Sequence, residues 1–172
     1  MNTVFAFYVN FPIFVRMNII EVSTGKAFPI EIIPVEKADY KSLPKSRYFF
    51  NWKDEQNEEI YKLVIKGGNT ILGLVSLERI PSEWRVHIRL LTVSKENKGS
   101  EKEFDKIAGN LITHAAKIAI AEYGELACVS LKPKTEIAQH YIDKYKMNVT
   151  GITLSLEVPE ILDLVNLFDN NE

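Results

Sequence analysis

The hydrophobic period changes once along this chain, and that change limits the folds open to it. Residues 59–66 (EIYKLVIK) alternate in part and are rich in β-formers. Lys66-Gly67-Gly68-Asn69 supplies the positive φ angles of a tight turn, and residues 70–80 (TILGLVSLERI) return as a second strand. After a turn at Pro81-Ser82-Glu83, residues 84–93 (WRVHIRLLTV) read as a third. Alternation puts Trp84, Val86, Ile88 and Leu90 on one face of that strand, and Arg85, His87 and Arg89 on the other. From residue 104 the period becomes helical. Phe104, Ile107, Ala108, Leu111, Ile112, Ala115, Ile118 and Ala119 recur at steps of three and four on the way to Tyr123. An antiparallel meander followed by a long amphipathic helix points to the α/β (α+β) class.

The flanking segments extend the pattern. Gly124 stands at the favoured C-terminal position of the helix, and residues 126–131 (LACVSL) fit a buried strand. Residues 135–146 read as a second helix capped by Thr135, and residues 152–158 (ITLSLEV) as a final alternating strand. Pro159 opens a last amphipathic segment over 160–168. Upstream, residues 30–35 form a short strand whose Pro34 belongs at its end or on an edge, and residues 37–46 a helical turn stopped near Pro44. Tyr48, Phe49, Phe50 and Trp52 lack a surrounding basic groove, so they are expected in the core rather than against nucleobases. No repeat, low-complexity tract or linker divides the chain. A single domain over 1–172 is expected, with 159–172 its C-terminal helix and tail.

Charge narrows the partners. The net charge is −2 and the isoelectric point about 6.0, which gives no electrostatic reason to expect nucleic acid or an anionic membrane. The single cysteine, Cys128, has no disulfide partner and no companions for a thiolate metal site, so a reducing, cytoplasmic setting is the simpler expectation. Residues 3–15 are nearly all apolar but too short to span a bilayer, and the first positive charge, Arg16, follows the run. They fit an edge strand, or a leader with Met17 as an alternative initiator. The apolar segments 3–15 and 161–168 are candidates either for homodimer contacts or for completing the core.

Local motifs give the order of elements a family likeness. Leu91-Thr92-Val93 leads into Lys98-Gly99, then Ile107-Ala108 precedes Leu111-Ile112. Later come Thr135-x-x-Ala138 and Asp143-Lys144-x-x-Met147. Over residues 59–158 this resembles the GCN5-related N-acetyltransferases. The resemblance implies a mixed, mostly antiparallel twisted sheet flanked by helices. It also implies acetyl-CoA, or another acyl-CoA, held by Leu91, Thr92, Val93, Lys98, Gly99, Ile107 and Ala108. A helix N-terminus with unpaired N–H groups suits a diphosphate independently of the family, and Lys98, Lys102 and Lys106 add positive charge. Here the loop departs from the family: it carries about five extra residues within 100–106, including Glu101, Glu103 and Asp105.

Acyl transfer to an amine needs a base for the ammonium and an acid for the departing thiolate. The resemblance suggests Tyr141 as acid, although the family's Tyr position falls one residue later, on Ile142. Glu78, at the end of a strand, and His87, on the next, are candidates for the base. Like charge from Arg85 and Arg89 would favour a neutral His87 if the three face together. The expected acceptor is a small-molecule or peptide amine. A catalytically degenerate module that binds a protein or small ligand is the alternative, motivated by the long acidic loop and the displaced tyrosine. His87, His114 and His140 are far apart in the chain, and no HExxH, GxSxG or phosphate-loop sequence occurs, so no metal site is expected.

Overall fold

A computed structural model describes residues 17–169. Nine strands follow in chain order: β1 (Asn18–Glu21), β2 (Ala27–Pro34), β3 (Glu59–Ile65), β4 (Ile71–Ile80), β5 (Arg85–Val93), β6 (Phe104–Asp105), β7 (Cys128–Leu131), β8 (Asn148–Thr150) and β9 (Thr153–Leu156). The helices are α1 (Lys45–Tyr48), α2 (Ile107–Tyr123), α3 (Thr135–Tyr145) and α4 (Val158–Asp169). The hydrogen-bonded strand order is β6-β1-β2-β3-β4-β5-β7-β9-β8. Pairing is antiparallel in β1/β2, β1/β6, β2/β3, β3/β4, β7/β9 and β8/β9, and parallel between β5 and β7. The mostly antiparallel, mixed sheet with helices is therefore as expected. No helix among the described residues is long and apolar enough to cross a membrane. The expectation for residues 3–15 lies outside the described residues.

The described residues group into two compact units. One comprises 17–78 and 89–111. Its core gathers Leu43, Tyr48, Trp52, Ile60, Val64, Ile71 and Leu74, so the aromatic run packs inward through two of its four members. Both are anchored at their polar ends: Tyr48 donates its hydroxyl proton to the Ile71 carbonyl (2.8 Å), and Trp52 Nε1 donates to the Tyr48 carbonyl (3.2 Å). Those bonds satisfy the groups that burial takes from water. Pro34 closes β2 opposite Tyr61, where a missing donor costs the ladder least, although β2 is flanked by β1 and β3 rather than being an edge. Gly73 on β4 marks a close approach. A Cβ there would lie 2.7 Å from Ile107 Cγ2, 3.0 Å from Leu111 Cδ1 and 3.1 Å from the Thr92 carbonyl oxygen. The first turns of α2 rest on the strand because this position has no side chain.

The other unit comprises 79–88 and 112–169 among the described residues. Ile112, Ala115, Ala116 and Ala119 of α2 are buried, as are Val86, Val129, Leu154 and Leu156 of the strands. Helix α4 buries Ile161, Leu164, Val165 and Phe168, so this apolar segment completes a core. Lys117 Nζ meets Asp169 Oδ1 at 2.6 Å and joins α2 to the end of α4.

Several expectations change. Phe104 is not in the helix; it pairs opposite Glu21 in β6 and meets the Phe28 ring edge-on at 5.8 Å. The helical stripe therefore starts at Ile107, after Lys106 adopts a positive φ of 73°. Thr135 is the first helical residue of α3 rather than its cap: Lys134 stands at the cap and supplies no side-chain bond. Trp84 takes a left-handed conformation before β5 and is 49% exposed, off the buried face. The strand expected over 152–158 is a hairpin, β8 turning at Gly151 (φ 64°) into β9.

Candidate active site

The residues singled out for cofactor binding all fall in the unit formed by 17–78 and 89–111. Pairing of β5 with β7 covers Arg85–Ile88 and ends at Ile88 opposite Leu131. Leu91, Thr92 and Val93 continue β5 beyond that ladder, and the Ser94 N–H donates to the Leu72 carbonyl at 2.8 Å. Thr92 is buried, whereas Leu91 and Val93 are half-buried. A strand edge past the end of its ladder offers backbone N–H and C=O groups to a ligand with amide groups.

Residues 94–106 then form a braced loop. Ser94 and Asn97 are buried. Asn97 Nδ2 donates to Ser94 Oγ (2.8 Å), while its Oδ1 accepts the Phe104 N–H (2.8 Å). The Glu103 N–H reaches the Glu96 carbonyl (3.1 Å), and the Glu103 carbonyl accepts from Val22 (2.8 Å). The extra residues thus go into β6, which pairs with β1, rather than into a longer open loop. Gly99 has φ 85° with open space around a hypothetical Cβ, and the Lys98 ammonium stands 4.3 Å from the centroid of the Phe49 ring. Ile107 and Ala108 begin α2.

The acidic residues of the loop are disposed of separately. Glu101 and Glu103 are exposed. Asp105 Oδ1 accepts from Lys102 Nζ (2.7 Å) and from the Lys106 N–H (2.8 Å), so its charge is compensated within the loop. A diphosphate at this loop therefore faces Lys98, the backbone around Gly99 and the start of α2 without an unpaired carboxylate from Asp105.

Glu78 belongs to a charged cluster in the same unit that sequence reasoning did not assemble. Arg89 on β5 donates from Nε to Glu55 Oε2 (2.9 Å) and from Nη2 to Glu55 Oε1 (3.3 Å). It also pairs with Glu78 at 3.5 Å and Glu58 at 3.9 Å. Buried Ser76 donates to Glu55 at 2.6 Å. The Arg89 bonds lead in holding the Glu55 carboxyl below its ordinary value, with Ser76 adding to them against the opposing effect of burial. Three carboxylates against one guanidinium leave a local excess of negative charge, and Glu58 and Glu78 remain partly exposed.

His87 and Tyr141 fall in the other unit. Ser130 Oγ accepts from Arg85 Nη1 at 2.7 Å and lies 2.8 Å from His87 Nδ1. Arginine can only donate, so the serine proton is free to go to His87 Nδ1, an arrangement that favours the Nε2–H tautomer. Arg85 and His87 face together, as alternation implied, with 3.5 Å between Nη1 and Nδ1. Tyr141 lies on α3 between the rings of His140 (6.0 Å) and Tyr145 (5.9 Å), and burial pushes its hydroxyl pKa up. Among the described residues no group of three side chains is placed to hold a metal ion.

Gly73, Glu55 and Asn97 were the functional-region residues missed. Gly73 had a readable signal, since a glycine inside a strand marks a bulge or a close approach. Glu55 and Asn97 sit in irregular segments where no periodicity operates.

No protein-family model matches the chain, and no curated protein matches it in sequence. Solved structures do match in fold. A spermidine N-acetyltransferase from Vibrio cholerae is 12% identical with a TM-score of 0.56, over 77% of this chain and 96% of that one. A streptothricin acetyltransferase from Bacillus anthracis, described as putative and in complex with acetyl coenzyme A, is 14% identical with a TM-score of 0.56, over 75% and 99%. Naa50 from Arabidopsis thaliana, bound to a bisubstrate analogue containing CoA, is 16% identical with a TM-score of 0.52, over 75% and 99%. At these identities the likeness speaks for the fold. This chain has the fold of the GCN5-related N-acetyltransferases, as a divergent version of it.

Proposed function

We propose that this protein is an acyl-CoA-dependent N-acyltransferase that carries an acetyl group from acetyl-CoA to a primary amine by direct attack. The observation that carries the reading is the braced loop from β5 to α2. It combines a strand edge past its ladder, Lys98, a positive-φ glycine with open space and the start of a 17-residue helix. In the reaction the amine nitrogen bonds to the thioester carbonyl carbon, the C–S bond breaks, and the sulfur leaves with the electron pair. Glu78 accepts the proton of the attacking ammonium, with Glu58 beside it drawing the cation in, and Tyr141 supplies the proton to the thiolate. Glu78 is preferred over His87 as base because His87 Nδ1 is engaged by Ser130. The acceptor is a small-molecule or peptide amine, and the protein works in the cytoplasm.

The test is the thermal midpoint with and without acetyl-CoA, with adenosine as the control for adenine-only binding. At about 100 times its dissociation constant a native-state ligand adds about 2.7 kcal/mol, or about 5–10 °C for a chain of this size. The shift is expected with acetyl-CoA and not with adenosine, and is lost in the folded Gly99→Glu/Ala108→Glu protein. No shift at millimolar acetyl-CoA would leave the degenerate binding module as the reading. An unchanged shift in the double variant would reject the loop as the site.

A further inference from the structure

A second cavity, of about 630 Å³, lies wholly within the unit of residues 79–88 and 112–169 and takes no part in the chemistry above. That volume is in the range of small-molecule sites. Its charged lining is Glu83, Arg85, Glu125 and Glu157. Arg85 is already committed: its Nε donates to Glu83 (2.8 Å), its Nη2 pairs with the same carboxylate, and its Nη1 holds Ser130. With Arg85 and Glu83 cancelling, Glu125 and Glu157 remain, and neither side chain has a partner among the described residues.

An independent feature points to a ligand. Ser155 lines the same cavity, is only 4% exposed, and its hydroxyl makes no hydrogen bond among the described residues. A hydroxyl withdrawn from water without a partner is costly, and a ligand hydroxyl entering the cavity would relieve it. Cys128 reports the same field. Burial first, then the Glu157 and Glu83 carboxylates, push its thiol pKa up, against the opposing pull of Arg85. Three metal-ligating groups do not converge here, so the complement to this lining is an organic cation rather than a metal ion.

We propose that this cavity is a second ligand site, for a small hydroxylated diamine whose ammonium groups meet Glu125 and Glu157 and whose hydroxyl pairs with Ser155. The site stands apart from the acyl-transfer reading and does not depend on it.

Cys128 lines the cavity and is the chain's only cysteine, so it is a built-in reporter. The experiment is the rate of its alkylation by iodoacetamide at neutral pH in the full-length protein. The probe is diaminopropanol, two ammonium groups flanking one hydroxyl; the control is glycerol, which replaces both ammonium groups by hydroxyls. At about ten times its dissociation constant, diaminopropanol should slow alkylation about ten-fold, while glycerol does not. The ratio of rates with and without diaminopropanol should return to about one in Glu125→Gln/Glu157→Gln. Ser155→Ala should weaken the protection, and Glu78→Gln should leave it intact. No slowing in the unsubstituted protein would overturn the proposal. So would equal slowing by glycerol, or protection that survives the Glu125→Gln/Glu157→Gln change. A protein that fails to bind acetyl-CoA but shows the protection would reject the acyl-transfer reading alone.

Discussion

Glu55 shows how one side chain can organise a site without lying in any regular pattern. It is 8% exposed, and its carboxylate is shared between Arg89 and Ser76. Because its folded pKa lies below the ordinary 4.5, the stability it contributes is present above about that pH and is lost as pH falls through the depressed folded value. Glu55→Gln should therefore lower stability at pH 7 by about 1.5–3 kcal/mol, the range for a hydrogen bond to a charged group. The gap between variant and parent should narrow in acid. Urea unfolding at neutral pH and below pH 4 tests this; a gap that stays constant with pH would show that the Glu55 charge contributes nothing. Freed of Glu55, Arg89 would also pair more fully with Glu78, the proposed base.

Between elements, the approach of α2 to β4 turns on the missing side chain at residue 73. In Gly73→Ala the new methyl meets a backbone carbonyl, Thr92, that cannot rotate away, besides Ile107 and Leu111. Overpacking of this kind costs about 1–3 kcal/mol, so the variant should melt several degrees lower. Calorimetry checks it, and a midpoint equal to the parent's would mean that the helix moves freely off the strand. This contact also shows what the sequence exposes and what it hides. Alternation in β3–β5 and the three-four stripe of α2 were legible because burial on one face writes a period into the residues. Strands β1, β6 and β8 were not, since four residues or fewer carry no period to read. The helix start was misplaced at Phe104 because that residue is apolar for a different neighbour, Phe28. The Lys98-Gly99 step could be read from its residue types. The bracing by Asn97 and the Glu55–Arg89 cluster depend on tertiary closure that no local pattern encodes.

At the scale of the whole molecule, each compact unit carries one tryptophan. Trp52 is 1% exposed in the unit that holds the candidate cofactor loop, and Trp84 is 49% exposed in the other. In Trp84→Phe, fluorescence reports Trp52 alone. Acetyl-CoA should raise the unfolding midpoint seen there, by linkage to binding in the same unit. A midpoint unmoved at Trp52 but raised at Trp84 in Trp52→Phe would place the binding elsewhere. The residues inserted into the loop also bear on how the protein behaves in a crowded solution. β6 is the first strand in the sheet order and covers Ile20 and Glu21 of β1 with a two-residue ladder. An uncovered strand edge is a template for pairing with another chain. Shortening this loop to the family's length would strip β1 of its cover, and the shortened protein would pay in self-association and precipitation, whatever it then bound.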